Sequence, residues 1–282
     1  EEYEFYLKDL NPKIVLVEKN SENPVVDVAK KLKIELCEIN PEKDGPSGIF
    51  NIYEKESEYS LPNESDEALV LHTSGTTSRP KIVPLTNKNI FSSAENISKS
   101  LNLSENDHCL NIMPLFHIHG LIAILASSMK AGASVCASNG FNAIKFLDIA
   151  KSEKITWYSG VPTMHQTILL RAHKNLEIAK GLELRLIRSS SASLPPAVFN
   201  DLNDVFSCPV IEAYGMTEAT HQMTSNPLPP KQQKAGFVGL PAGPEVCIMN
   251  ENGEVLKQGD EGEVCIKGEN VTLGYDNNEE AN

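Results

Sequence analysis

The feature that most constrains the fold of this 282-residue chain is a regular alternation of apolar strand-like segments with helix-like segments. The strand-like segments are residues 109–114, 133–137, 155–159, 184–188 and 209–213, and the helix-like segments are residues 119–130, 143–153, 162–172 and 195–206. Strands that alternate with helices indicate a layered α/β fold with a mostly parallel sheet. Ligands of such sheets bind at the carboxyl ends of the strands, so we expect a site at that edge.

Segments before this region extend the same pattern. Residues 13–18, 25–33 and 34–37 have the rhythm of a strand–helix–strand unit. Residues 82–85 are predicted to pair back, as a strand, with the apolar run that precedes them. Thr86 is a suitable N-cap for a helix that ends near residue 101.

The pattern changes after about residue 234. Residues 246–249 and 264–267 flank a turn-forming Asn-Glu-Asn-Gly sequence and predict short antiparallel strands. We therefore divide the chain into a partial N-terminal α/β segment (residues 1–65), an α/β core (66–234) and a small antiparallel β subdomain (235–282).

Composition indicates a globular protein that binds neither nucleic acid nor the membrane interior. Hydrophobic residues make up 40% of the chain, and a net charge of −13 repels a nucleic-acid backbone. The longest nearly apolar segment, around residues 121–126, is too short to cross a bilayer. The six cysteines show no metal-ligand spacing, so we expect core thiols in a reducing compartment.

A hydroxyl-rich loop between the apolar run 69–71 and Lys81 is the clearest candidate for ligand binding. Its glycine allows a tight turn, and its hydroxyls, backbone N–H groups and closing ammonium all suit a phosphate. An isolated cluster of this kind is more often a polar surface turn. A Walker loop is excluded because Lys81 follows Pro80 and precedes Ile82.

The loop resembles the phosphate loop of the AMP-forming acyl-CoA synthetase, luciferase and adenylation-domain superfamily, although Ser78 and Ile82 replace two of the family's glycines. Further segments resemble that superfamily in the expected order: residues 113–120, 188–194, 212–219, 238–241 and 262–268. The strings at 188–194 and 212–229 look most like its peroxisomal oxalate–CoA ligase branch.

This resemblance implies nucleotide and acyl binding by residues 66–234, with ATP, Mg²⁺ and coenzyme A as cofactor and co-substrates. The implied ATP- or AMP-binding residues are Thr73, Ser74, Gly75, Thr76, Thr77, Lys81, Ser191, Ala192, Glu212, Ala213, Tyr214 and Thr217. The implied catalytic residues are Lys81, Thr217 and Glu218, and Glu218 is also the implied Mg²⁺ ligand. Taken alone, Glu218 is better explained as a solvated acid at a helix start, and a position in the core is the lesser alternative for Tyr214.

The implied acid-binding residues are His117, His119, Ser189, Gly215 and His221. A fatty-acid pocket would be apolar, so polar residues at these positions favour a small polar acid such as oxalate. A synthetase for malonate or medium-chain acids is the enzymatic alternative, and a non-catalytic nucleotide-binding or interaction fragment is the alternative from another class.

Members of the superfamily continue with a Tyr-x-Thr-Gly-Asp segment, a hinge and a C-terminal lid domain that carries a catalytic lysine. This chain ends at Asn282 without them, so we expect a fragment of the large N-terminal domain that is inactive alone. The resemblance implies a peroxisomal or cytoplasmic protein and leaves its oligomeric state open.

Overall fold

The computed structural model describes residues 1–42, 48–52, 60–73 and 80–282, which divide into two units, residues 1–61 and 62–282. The elements of the first unit are α1 (Glu2–Leu10), β1 (Ile14–Glu18), α2 (Val25–Leu32), β2 (Glu35–Pro41) and β3 (Phe50–Asn51). β1 and β2 pair in parallel across α2, and β3 pairs antiparallel with β2. The predicted strand–helix–strand unit is confirmed, whereas α1 has no counterpart in the sequence prediction.

The second unit contains the alternating elements. Its helices are α3 (Asn87–Ser100), α4 (a π-helix His119–Ala126 that continues as an α-helix Ser127–Lys130), α5 (Ala143–Ser152), α6 (Pro162–Ala172), α7 (Leu176–Lys180) and α8 (Pro196–Phe206). Its strands are β4 (Glu67–His72), β5 (Ile82–Thr86), β6 (His108–Asn111), β7 (Ser134–Ala137), β8 (Trp157–Gly160), β9 (Leu186–Ser189), β10 (Val210–Met216), β11 (His221–Ser225), β12 (Leu240–Pro241), β13 (Glu245–Met249) and β14 (Glu263–Lys267).

A seven-stranded sheet is the centre of this unit, with strand order β12-β11-β10-β9-β8-β6-β7. The strands from β10 to β7 are parallel to one another, and β11 and β12 extend the β10 edge in antiparallel pairing. The predicted mostly parallel α/β sheet is therefore confirmed. The sequence pattern does not predict β11 or β12, because the residues of β11, His-Gln-Met-Thr-Ser, do not form an apolar run.

Side chains alternate between two apolar layers along the parallel strands. Trp157 of β8 and Leu186 of β9 pack into the layer that contains residues of α3 and α4. Their neighbours Tyr158 and Ile187 pack into the opposite layer, with residues of α5, α6 and α8. Both faces of the sheet are thus covered by helices, as the period-two geometry of a strand requires in a fold of this class.

Smaller elements complete the unit. β4 and β5 form the predicted antiparallel pair, and β13 and β14 form the predicted antiparallel pair near the end of the chain. Thr86 caps α3: its hydroxyl accepts a hydrogen bond from the Asn89 backbone, and the Asn89 side chain accepts one from the Thr86 backbone. The predicted helix 119–130 forms, but its first eight residues are π-helical. A Cβ added at Gly120 in this helix would overlap the Pro114 carbonyl oxygen, so the close approach depends on glycine.

The six cysteines are free thiols, and Cys37, Cys109 and Cys208 are buried. Among the helices that the structure describes, none combines the length and the apolar character needed to cross a bilayer.

Asp107 links the amino-terminal ends of β6, β8 and β9, so its replacement should lower the stability of the sheet. Its side chain is almost completely buried. Its Oδ1 accepts hydrogen bonds from Arg185 Nε at 2.9 Å, just before β9, and from Thr156 Oγ1 at 3.1 Å, just before β8. Because Asp107→Ala would leave Arg185 Nε without its carboxylate and Thr156 with only the longer contact to the His108 carbonyl, at 3.3 Å, we expect it to lower the free energy of unfolding by about 2–4 kcal/mol.

Urea unfolding of Asp107→Ala, beside a control variant, tests this expectation. Glu95→Ala removes the exposed Glu95–Lys99 pair of α3 and serves as the control, with an unchanged midpoint expected. Equal midpoints for Asp107→Ala and the unaltered chain would show that the cluster contributes nothing.

Candidate active site

Polar side chains gather at the carboxyl ends of β8, β9 and β10. Ser159 lies near the end of β8, Arg188 and Ser189 end β9, and Glu212 lies in β10. These three strands are parallel neighbours, so their carboxyl ends meet at one edge of the sheet. This is the edge at which the sequence pattern predicts ligand binding.

A cavity of about 260 Å³ opens at this edge. It is lined by Ser189, Ser191, Ala192, Ser193, Glu212, Ala213, Tyr214, Gly215, Gly236 and Val238. The structure therefore brings together most of the residues predicted on the 188–194 and 212–219 motifs, whereas Thr217 and Glu218 do not line this cavity. Tyr214 is 39% exposed, so its ring is available to a ligand and does not belong to the core.

Glu212 links two parts of the cavity wall, β10 and the segment around Gly236. Its buried carboxylate accepts a hydrogen bond from the Gly236 backbone N–H at 2.8 Å. Burial raises the pKa of Glu212, and backbone N–H groups of Gly236 and Leu194 partly offset that rise. The carboxylate thus ties the segment around Gly236 to β10.

Two histidines and an arginine lie behind this cavity. His119 is fully buried, with Nδ1 3.0 Å from Ser191 Oγ and Nε2 2.6 Å from Ser159 Oγ. The rings of His119 and His221 have centroids 5.2 Å apart. Arg188 Nη2 approaches His221 Nδ1 at 3.4 Å. Two of the three predicted acid-binding histidines, His119 and His221, therefore belong to one cluster with Arg188 and Ser159.

The histidines of this cluster are neutral near pH 7. Burial, followed by the charge of Arg188, holds the pKa values of His119 and His221 well below the ordinary value. Burial also lowers the pKa of the half-buried His117. His117 Nδ1 accepts a hydrogen bond from the His119 backbone N–H at 3.1 Å, which leaves Nε2 as the protonated nitrogen of its neutral ring.

Arg188 is a completely buried cation. Burial lowers the pKa of its guanidinium to about 9, so the group stays charged at neutral pH. Within the described part of the chain, no carboxylate lies within ion-pair distance of it, and its Nε has no hydrogen-bond partner. A buried charge without a counter-ion is costly, so this cluster favours an anion nearby.

Tyr275 connects the predicted phosphate-loop lysine with the predicted metal ligand. Lys81 Nζ lies 4.5 Å from the centre of the Tyr275 ring, and the Tyr275 hydroxyl donates to Glu218 Oε1 at 2.6 Å. Burial and this carboxylate raise the pKa of Tyr275 to about 12. Thr73 pairs with Lys81 through its backbone N–H and its hydroxyl. The Lys81 end of the loop and the turn that holds Glu218 thus share one neighbour.

The remaining predicted residues are placed as follows. Thr217 begins the short 3₁₀ turn Thr217–Ala219 that also holds Glu218. Ser74, Gly75, Thr76 and Thr77 lie outside the described residues.

Sequence reasoning missed several polar residues of the site: Ser159, Arg188, Gln222 and Tyr275. A usable signal was available for Arg188, because it is the charged residue of an otherwise uncharged buried strand, Leu-Ile-Arg-Ser.

Backbone strain is concentrated at the same place. Ser191, Thr220 and His221 have positive φ angles of 71°, 48° and 95°, a region that residues other than glycine rarely adopt. Such conformations persist when the surrounding structure holds them, and they cluster at functional sites. Of these three residues, Ser191 lines the cavity and His221 belongs to the buried cluster.

The described residues contain no group of three or more His, Cys, Asp or Glu side chains arranged to hold a metal ion. Glu218 is a single, partly exposed carboxylate, and the Thr217 hydroxyl is next to it in the chain. Mg²⁺ is commonly bound by one or two carboxylates together with substrate phosphates, so this donor set fits a metal that arrives with a nucleotide.

The model of the AMP-binding enzyme family matches residues 1–276. An oxalate–CoA ligase of Arabidopsis thaliana is 47% identical over 292 residues, which cover 100% of this chain and 56% of that protein. An oxalate–CoA ligase of Saccharomyces cerevisiae is 40% identical over 307 residues, which cover 100% of this chain and 56% of that protein.

A solved structure extends the comparison to the fold. O-succinylbenzoate coenzyme A synthetase from Bacillus subtilis, in complex with ATP and magnesium ion, matches with a TM-score of 0.79 at 26% identity. The match covers 98% of this chain and 55% of that chain. The present chain therefore spans a little over half of the length of these relatives.

Proposed function

Because this chain belongs to the AMP-binding enzyme family, we propose that it carries the nucleotide- and acid-binding part of an AMP-forming carboxylic acid–CoA ligase whose acid is oxalate. The observation that carries the choice of acid is the buried Arg188–His119–His221 cluster beside the cavity. The names of the Arabidopsis and yeast relatives support the same choice.

The reaction needs no nucleophile from the protein. An oxygen of the acid's carboxylate forms a bond to the α-phosphorus of ATP, and the bond from that phosphorus to pyrophosphate breaks. The thiol of coenzyme A then attacks the activated carbonyl, gives up its proton, and releases AMP. Catalysis of such a transfer depends on positioning and on stabilising negative charge, which binding groups alone can provide.

The described residues supply these functions in the following way. Tyr214, Ala192 and Ala213 line a partly apolar cavity that can take a purine. Lys81 offers a mobile ammonium for phosphate oxygens. Glu218 would hold Mg²⁺, which, when bound, neutralises charge on the phosphates.

A small dianionic acid fits the polar cluster better than a fatty acid does. Long-chain acids require an extended apolar pocket. Next to the cavity stand Arg188, whose charge has no carboxylate partner among the described residues, and neutral imidazoles that can donate hydrogen bonds. Oxalate carries two carboxylates on two carbons, so one can react while the other remains beside these donors.

Acid-dependent exchange of pyrophosphate into ATP, measured with the full-length protein, tests the proposal. We expect a higher kcat/KM with oxalate than with malonate, succinate or hexanoate. A preference for malonate or hexanoate would overturn the assignment of oxalate. Absence of exchange with every acid, together with retained ATP binding, would instead support a non-catalytic nucleotide-binding protein.

The isolated chain is expected to bind ATP without making the thioester, because it spans only 56% of the length of the Arabidopsis relative. Release of oxalyl-CoA by the isolated chain would contradict this part of the proposal.

Lys81→Ala is expected to weaken ATP binding by the isolated chain about 10- to 100-fold, as the loss of a charge-assisted contact predicts. Thermal unfolding with increasing ATP measures this effect as a smaller rise in Tm at each concentration. Lys130→Ala is a matched control, because Lys130 Nζ lies 4.3 Å from the centre of the Phe91 ring, much as Lys81 lies over Tyr275. Equal ATP shifts in both variants would remove Lys81 from the nucleotide site.

A further inference from the structure

Arg188 gives direction to the hydrogen bonds around it, because a guanidinium can only donate. Its Nη1 approaches Ser159 Oγ at 3.4 Å, and its Nη2 approaches Gln222 Oε1 at 3.2 Å as well as His221 Nδ1. Each of these three atoms must therefore act as the acceptor. Two branches of hydrogen bonds start from the guanidinium: the first runs through Ser159 and His119 to Ser191, and the second leads to His221.

The first branch passes through His119. Ser159 is completely buried, and among the described residues its hydroxyl hydrogen has no acceptor other than His119 Nε2, at 2.6 Å. His119 Nε2 thus accepts, and the proton of the neutral ring is on Nδ1. That N–H donates to Ser191 Oγ at 3.0 Å. The Ser191 hydroxyl hydrogen then points away from His119 and is free for a ligand in the cavity that Ser191 lines.

The second branch passes through His221. Its Nδ1 accepts from Arg188, so the proton of the neutral ring is on Nε2, for which the described part of the chain provides no acceptor. Gln222 holds the other guanidinium contact in place, because its amide nitrogen donates to Ser100 Oγ at 3.0 Å and to the Ala242 carbonyl at 3.1 Å.

We propose that Arg188 is a positioning residue that orients both branches so that Ser191 Oγ–H, at the cavity wall, and His221 Nε2–H, in the buried cluster behind that wall, are left as donors for a carboxylate. Its role in acid binding rests on the function proposed above, whereas the proton positions do not. The bound acid supplies the negative charge that the buried guanidinium lacks.

A ligand-free measurement tests the proton positions. In the ¹⁵N-histidine-labelled chain at neutral pH, two-bond ¹H–¹⁵N correlations distinguish the two neutral tautomers, and His119→Gln and His221→Gln assign the signals. We expect the Nδ1–H tautomer for His119 and the Nε2–H tautomer for His221. An Nε2–H tautomer at His119 in the unaltered chain would overturn the first branch, whatever acid the protein uses.

Ser159→Ala breaks the first branch and leaves Arg188 in place. Its His119 is expected to lose the preference for Nδ1–H, whereas the tautomer of His221 stays the same. Unchanged His119 signals in this variant would show that Ser159 does not direct the ring.

Kinetics of the full-length protein test the consequence for the acid. We expect Arg188→Met to raise the KM for oxalate about 10- to 100-fold with little change in the KM for ATP, and Arg188→Lys to restore part of the loss. Ser159→Ala, which removes no charge, should raise the oxalate KM by a smaller factor and provides the test if Arg188→Met does not fold. Correct tautomers with an unchanged oxalate KM in Ser159→Ala and Arg188→Lys would overturn the positioning role. If oxalate itself is not used, the tautomers still decide on the hydrogen-bond directions.

Discussion

Glu218→Gln in the full-length protein is expected to slow adenylate formation by about 10²- to 10³-fold, the loss that follows removal of one group that stabilises charge in a transition state. The amide that replaces the carboxylate keeps the size and the oxygen acceptor for the Tyr275 hydroxyl, but it loses the charge that a Mg²⁺ ligand needs. A pyrophosphate-exchange assay measures the rate, and the Mg²⁺ concentration required for half-maximal rate should rise.

Tyr275→Phe separates the metal role from the local hydrogen bond. This variant removes the 2.6 Å contact to Glu218 Oε1 but keeps the carboxylate and the ring beneath Lys81. We expect a much smaller loss of rate than in Glu218→Gln. If both variants lose the same activity, Glu218 acts through its bond to Tyr275 rather than as a metal ligand.

The fold was predictable from the sequence where local signals agreed with the final packing. The β8 and β9 segments are apolar on both faces and each lies between helical segments, so a parallel sheet covered on both sides follows from pattern alone. The start of α3 was equally clear, because Thr86 provides both hydrogen bonds of its cap within three residues.

β11 could not be predicted in this way. It forms because β10 offers its edge, and four of its five buried residues, all except Met223, are polar, so no period-two pattern marks it as a strand. The π-helical start of α4 was not predictable either, because a helical repeat does not show close contacts with the preceding loop, such as that of Gly120 with the Pro114 carbonyl.

The candidate site divides in the same manner. Tyr214 and Glu218 were predicted because they lie close together in one motif that resembles the family's. The cluster of Ser159, Arg188 and Gln222 unites three strands, so no local spacing reveals it. The only local indication of this cluster was a charged residue, Arg188, in an otherwise uncharged buried strand. That indication points to the site only if the face of the sheet that Arg188 occupies is known.

Gly215→Ala is expected to have the largest effect on the structure of the site. β10 and β11 pair antiparallel, with a register irregularity between Tyr214 and Gly215. A Cβ at residue 215 would overlap the backbone carbonyl oxygen of His221, and backbone atoms cannot move aside as a flexible side chain can. The two strands must therefore separate or change register, and we expect a loss of about 3 kcal/mol or more in the free energy of unfolding.

Gly160→Ala is the matched control, at the end of β8 in the same sheet. A Cβ there would meet the His165 ring at 3.4 Å and the Ile112 side chain at 3.5 Å, which are ordinary contacts. We expect its free energy of unfolding to change by less than about 1 kcal/mol. Thermal unfolding compares the two variants, and similar Tm values would show that the β10–β11 pair tolerates a side chain at residue 215.

ATP binding gives a second readout, because a displaced β10–β11 pair would shift the functional groups of the site in addition to lowering the stability of the fold. Tyr214 lies on one side of Gly215 in the chain, and the turn with Glu218 follows on the other. The folded fraction of Gly215→Ala should therefore show little rise in Tm with ATP, whereas Gly160→Ala should keep most of the rise. A full ATP response in Gly215→Ala would mean that the nucleotide site does not depend on the close contact between Gly215 and the His221 backbone.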